Sequence, residues 1–396
     1  MIKGERNYKL ALIKIFFVQV LISIDFILPI RVLYMINYGI SNSDIGVLRT
    51  VYSILVTVLE IPTGVISDKI SKKFSIVLSA VTFTLHAVVY ILFTTFTGFI
   101  LTQMLLALSA ALASGTISAY VHDLVTENKD NTYTEIAGNL NFAKNIASVI
   151  LVSVSSFFFF FYIKSNFFLV MSTGSLGTAI AGRLPGTEGE GQKEKLLRID
   201  MQEYLKHIVV NAKYLFGHSW LLKIIILQSI NITFLIFNFD YYQILLKNIG
   251  FNMKYVGPLY ASFFFWAGLG AKLTNSLEQR LKYKNLTQLY MTMLALSYLI
   301  MSKSNCFQFI LVAIVLQQMC FGSWNLLVEA SVLDNAASSD AKVILESLHN
   351  CLLNLIKAVL VLGLSVLMYI SDLRFVYNVL SIIMIIMIFY QLRDNL

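Results

Sequence analysis

The chain of 396 residues is 57% hydrophobic and only 13% charged, with a mean hydropathy of +0.74. Soluble domains carry about a quarter charged residues, so this balance excludes a water-soluble globular protein and indicates a membrane protein. The formal net charge of +8 does not point to nucleic acid, because no basic helix or aromatic-basic platform stands clear of the apolar runs.

A bilayer core of about 30 Å needs roughly 20 apolar residues in a helix, and helices satisfy their own backbone hydrogen bonds there. The N-terminal MIKGERNYKLALIKIFF has a basic start and an apolar run, but the run continues past Asp25 to Met35 without a small-residue cleavage site. It is therefore predicted to be a retained first span. Spans are predicted over 10–37, 44–67, 74–96, 99–121, 134–163 and 166–181. The hydrophilic interval RLPGTEGEGQKEKLLRID from Arg183 reads as a flexible linker, and 201–216 as an amphipathic lead-in. Six more spans are predicted over 221–246, 255–277, 286–301, 307–333, 343–370 and 374–392. The fold class is thus an all-α membrane protein of about twelve transmembrane helices. Its predicted domains are an N-terminal six-helix bundle over 1–182, a cytoplasmic linker over 183–216 and a C-terminal six-helix bundle over 217–396.

Cations fix the expected orientation. With the N-terminus cytoplasmic, Lys3, Arg6, Lys9, Lys69, Lys72, Lys73, Lys129, Arg280, Lys282, Lys284 and Lys342 fall inside, and Lys164, Lys247, Lys254, Lys303 and Arg374 outside. The positive-inside rule selects this topology, with both termini cytoplasmic. Cys306, Cys320 and Cys351 have no CxxC spacing and lie in or beside apolar runs, which argues for buried free thiols and against a disulfide framework or a zinc site.

The two halves repeat. An offset of 211 positions superimposes Gly39 on Gly250, Gly46 on Gly257, Lys69 on Arg280 and Lys73 on Lys284 without a gap. YGISNSDIGVL then lies over IGFNMKYVGPL, each joining the first span of a half to its second. Two pseudo-symmetric six-helix halves related by an axis along the membrane normal are an arrangement that alternating-access transporters use.

Between the second and third predicted spans, Gly64, Asp68, Lys69, Lys72 and Lys73 resemble the Gly-x-x-x-Asp-(Arg/Lys)-x-Gly-(Arg/Lys)-(Arg/Lys) signature of the major facilitator superfamily. The preceding Glu60-Ile61-Pro62-Thr63-Gly64 resembles the form found in many bacterial members. The resemblance extends over the spans, the linker, SGTISAYVHDL from Ser114 and DNAASSDAKVILES from Asp334. The signature departs at Ser71, where the family usually has glycine, and in the second half Asn275 and Gln279 replace the glycine and the aspartate. The resemblance implies a cytoplasmic gate in which Asp68 docks on the positive start of the eleventh span near Lys342; a carboxylate at a helix N-terminus is worth roughly 0.3 to 2 kcal/mol. The alternative is a loop that only anchors topology.

An ionisable group at mid-bilayer costs at least about 2.5 to 3.5 kcal/mol, so each deserves a functional hypothesis. Asp25 stands roughly 22 Å into the first predicted span at about 1.5 Å per residue. The resemblance implies that this span lines a cavity, making Asp25 the preferred proton-coupling or cation-recognising carboxylate; the alternative is bonding to neighbouring backbone. The 211 offset maps Pro29 on Asp240, so Arg31 and Asp240 fall within roughly 3 Å of the same depth and are candidates for an outer latch, unless Arg31 snorkels to the interface. Glu60 and Lys144 lie at similar inner depths. Glu60, Lys144, Asp240, Trp324, Glu329 and Lys357 join Asp25 as proton-coupling or substrate candidates, with a paired structural network as the alternative. His122 and Asp123 lie near the cytoplasmic surface. Tyr241, Tyr242, Gln317, Gln318 and Asn238 are further cavity candidates, and the five phenylalanines from Phe157 are read as lipid-facing bulk.

The expected function is proton-coupled efflux, by antiport, of an amphipathic small organic molecule, the direction being implied only by the resemblance. The alternatives are a symporter importing a sugar, peptide or organic anion, and a non-transporting receptor of the same fold. An enzyme is not expected, since no HExxH, serine-lysine motif or phosphate-cradling glycine loop is present. The expected partners are a small-molecule substrate, protons and the lipid bilayer of a bacterial plasma membrane. No cofactor, metal or nucleic acid is expected, and the chain is expected to be a monomer.

Overall fold

The computed structural model describes residues 5–23, 25–128, 133–186, 219–278, 280–281, 283–334 and 339–393. Among these, every regular element is helical: α1 (Glu5–Ser23), α2 (Arg31–Asn37), α3 (Asn42–Lys69), α4 (Lys72–Leu92), α5 (Phe96–Ala113), α6 (Thr116–Asn128), α7 (Tyr133–Phe161), α8 (Ser165–Ala181), α9 (Ser219–Asn248), α10 (Val256–Glu278), α11 (Tyr283–Lys303), α12 (Phe307–Asp334), α13 (Ser339–Ile370) and α14 (Leu373–Arg393), with a 3₁₀ turn at Met253–Tyr255. Among the described residues six runs are long and apolar enough to cross a membrane: Lys72–Leu92, Phe96–Val125, Gly138–Phe161, Phe307–Trp324, Leu352–Ile370 and Leu373–Gln391. The other predicted spans are helical too. The linker and lead-in expected over 183–216 lie almost wholly outside the described residues.

The chain divides into two compact units, one of Met1–Ile40 with Val51–Asp200 and one of Ser41–Thr50 with Met201–Leu396. Helix α3 thus lends its first turns to the second unit. In the first unit α4 packs against α5 and α8, and α1 against α8. In the second, α10 packs against α12, α11 against α14, and α9 against α13. The α10–α12 seam is set by glycine: a Cβ on Gly270 would lie 2.1 Å from the Met319 carbonyl, and one on Gly322 would lie 1.9 Å from that of Ala267. Only the absence of a side chain lets the two backbones approach this closely.

Two predicted spans of the first unit are broken. The span expected to run unbroken over 10–37 ends as α1 at Ser23 and resumes as α2 at Arg31. In an uninterrupted helix the Asp25 carbonyl would accept from residue 29, but Pro29 has no N–H. That carbonyl accepts from Leu28 N instead (3.1 Å), and the Ile27 carbonyl from Ile30 N (2.9 Å), both turn-type bonds. The span expected over 99–121 is likewise split into α5 and α6 around Gly115, whose φ is 70°. At the 211 offset, the counterparts of both breaks fall inside the continuous helices α9 and α12.

The repeat is legible at atomic detail in one place. Gly39 and Gly250 both have positive φ, 83° and 76°. Gly39 N bonds Ile36 O and Ile40 N bonds Met35 O; 211 positions on, Gly250 N bonds Lys247 O and Phe251 N bonds Leu246 O. Each is a Schellman helix stop, which places a left-handed residue just past the helix and favours glycine there.

Candidate functional site

The first-unit group is built on the break. The freed Phe26 carbonyl accepts from Asn166 Nδ2 of α8 (2.8 Å). Asp25 Oδ1 accepts from Ile27 N (2.8 Å), so the carboxylate caps its own turn. Its other oxygen lies 3.9 Å from Arg31 Nη1 at the start of α2, with Arg31 buried and Asp25 partly open. His86 of α4 lies within electrostatic reach of both. His86 is completely buried; its Nδ1 bonds the Phe83 carbonyl, and among the described residues its Nε2 has no hydrogen-bond partner. His86 was not among the residues expected from the sequence. The signal for it is a polar stripe: Ser75, Ser79, Thr82 and His86 recur at intervals of four and three along α4, and all are buried. In a lipid solvent, such a stripe marks the inward face of a helix.

The second-unit group centres on Asp240 of α9. Arg49, on the turns of α3 that belong to this unit, grips it through both arms: Nε bonds Oδ2, and Nη2 lies 3.3 Å from Oδ1. Asp240 is 2% exposed. Each member of the expected Arg31–Asp240 latch therefore has an ion-pair partner inside its own unit. Tyr241, next along α9, donates to the Asn42 carbonyl (2.8 Å). Lys357 of α13 donates to Asn354 Oδ1 (2.6 Å) and lies within electrostatic reach of Arg49.

The other cavity candidates of this unit form a connected network. Gln317 Oε1 accepts from Asn238 Nδ2 (2.9 Å) and from the Tyr242 hydroxyl, Gln317 Nε2 donates to Ser297 Oγ (2.9 Å), and Gln318 Nε2 donates to the Tyr242 oxygen (3.3 Å). All are essentially inaccessible. Trp324 is fully buried as well, and among the described residues its indole N–H has no acceptor.

Of the gate signature, Lys72 is buried, pairs with Asp123 of α6 and donates to the Ala119 carbonyl (3.2 Å). Ser71, where the signature usually has glycine, is extended (φ −178°), and its hydroxyl accepts from Phe74 N at the start of α4 (3.1 Å). It serves as an N-cap, a position that serine favours. Gly64 is exposed, and Lys73 is partly so. The side chains of Asp68, Lys69, Glu329 and Lys342 lie outside the described residues. Glu60 and Lys144 are half-buried, and four of the five phenylalanines from Phe157 are exposed. Cys306 is an exposed free thiol and Cys320 a buried one. Cys306 thereby departs from the expected burial, because it stands in the short turn before α12.

A family model described as the Major Facilitator Superfamily matches residues 15–345. An uncharacterized MFS-type transporter of Methanocaldococcus jannaschii is 26% identical over 134 residues, about a third (34%) of each chain. Among solved structures, the nucleoside transporter NupG superposes with a TM-score of 0.79 at 14% identity, covering 98% of each chain. A D-xylose-proton symporter superposes at 0.67 with 12% identity, again covering 98% of each. At these identities the likeness shows the fold alone.

Proposed function

The chain belongs to the major facilitator superfamily, and from that premise we propose that it is a proton-coupled secondary transporter working by alternating access. Twelve spans in two pseudo-symmetric bundles, with both termini cytoplasmic in a bacterial plasma membrane, form the frame of this reading. The observation that carries it is the Asp25 group: a partly open carboxylate at an interruption in a spanning helix, 3.9 Å from Arg31 and within reach of His86. Discontinuous helices supply ion and solute sites in secondary transporters, and a carboxylate with a competing arginine can exchange its counter-charge for a proton. The cargo is an amphipathic small organic molecule, moved outward in exchange for protons. The Lys72–Asp123 pair and the Ser71 cap support the reading of that loop as a built cytoplasmic gate, with Asp68 docking on the eleventh span.

Import by proton symport is the second reading. It is favoured by the D-xylose-proton symporter among the structural neighbours and by the amide and tyrosine network around Gln317. Proteoliposomes holding a pH-sensitive dye separate the two: ethidium, xylose and a nucleoside are each added outside, and proton flux is followed. Solute and proton moving in opposite senses support antiport, and parallel movement supports symport. No solute-driven flux for a broad panel, from protein shown to be inserted and folded, overturns the coupled-transport reading.

A further inference from the structure

Lys357 stands 13 residues before the end of α13 at Ile370, roughly 20 Å along the axis at about 1.5 Å per residue, too far for its ammonium to snorkel to that end. Among the described residues its partner is the Asn354 side-chain oxygen at 2.6 Å, an amide that orients the ammonium without neutralising it. Arg49 lies within electrostatic reach of Lys357 and repels it, and both arms of Arg49 are engaged with Asp240. Among the described residues this leaves two cations and one carboxylate, the carboxylate being engaged by the other cation. An ammonium inside a spanning helix is unfavourable unless an opposite charge accompanies it.

We propose that Lys357 is the anion-recognising group of the transport site, so that the solute carries a carboxylate or phosphate whose charge completes this cluster; the assignment rests on the transporter reading above. The amphipathic cargo then has an anionic head.

The test uses the purified full-length protein in phosphatidylcholine nanodiscs, with benzoate, phenyl phosphate and the neutral isostere benzamide as probes of thermal unfolding. At least one anion raises the Tm of the wild type and of Lys357→Arg, benzamide does not, and Lys357→Gln weakens the anion response at least tenfold. The comparison of benzoate with phenyl phosphate distinguishes a carboxylate from a phosphate cargo. Lys357→Met, with the uncompensated charge removed, unfolds at a higher temperature than the wild type when no anion is added; a merely structural lysine would give the opposite result. An equal response to benzamide, an undiminished response in Lys357→Gln, or no anion response in the wild type overturns the proposal. So does a response abolished by phosphatidylglycerol in the discs, which assigns the anion to a lipid headgroup. Solute-driven proton flux that persists while the anion response is absent sinks the anion assignment and leaves the transport reading standing; anion binding without flux does the reverse.

Discussion

Asp25 and Asp240 are both carboxylates on the first predicted span of a half, each beside an arginine, yet their settings differ. Asp25 sits on an unwound turn, 3.9 Å from Arg31 and 19% exposed; Asp240 sits on the unbroken α9, gripped through both arms by Arg49 and 2% exposed. A bidentate carboxylate-guanidinium pair is geometrically demanding and strong, whereas a contact at 3.9 Å with open carboxylate surface is readily exchanged. The difference gives them different settings: Asp240 holds two elements together, and Asp25 sits in a looser, partly open contact. The backbone sets this division, because Pro29 breaks one span where the corresponding residue of the other half is Asp240 itself.

The largest expected effect is on Asp25. Asp25→Asn keeps an oxygen to accept from Ile27 N, so the turn stays capped, but it can neither ionise nor carry a proton. Solute-driven proton flux in proteoliposomes is expected to vanish while the protein inserts and unfolds as the wild type does. Retained flux would remove the functional side of the comparison. Next comes Asp240→Asn, which removes the carboxylate from Arg49: breaking one partner of a buried pair costs about 3 to 5 kcal/mol, read as a lowered Tm. Adding Arg49→Gln should recover part of that loss; no recovery would mean that the pair is not the stabilising unit. Smallest is the backbone test of the repeat. Gly39→Ala and Gly250→Ala meet open space, so each should cost about 1 to 2 kcal/mol through the left-handed conformation alone, and the two costs should match. A clear mismatch in the measured Tm shifts would show that the twin turns are not equivalent.

Much of the frame was legible in the sequence. Hydropathy located the helices, and the 211 offset found both Schellman stops because a left-handed turn leaves a glycine behind. The break in the first span was less visible, although Pro29 with Asp25 four residues earlier is its signature; the surrounding run is apolar enough to read straight through. Arg49 and Asp240 are both visible as polar residues, but counting residues yields depth and not the rotation of a helix about its axis. Depth therefore suggested Arg31, while rotation brings Arg49 to Asp240. His86 escaped notice because a single histidine inside an apolar run carries no local signal. Its stripe with Ser75, Ser79 and Thr82 becomes meaningful once polarity is read inside-out, as lipid requires.

The kink at Gly115 bears on mechanics. A continuous helix transmits a push along its length as a stiff rod, and a jointed one absorbs it as bending. Among the described residues the first unit carries two such joints, at 25–30 and at Ser114–Gly115, whereas their counterparts α9 and α12 run uninterrupted. These joints give the first unit two places to bend that the corresponding helices of the second unit lack, so a strain on this nearly duplicated design is taken up more readily there.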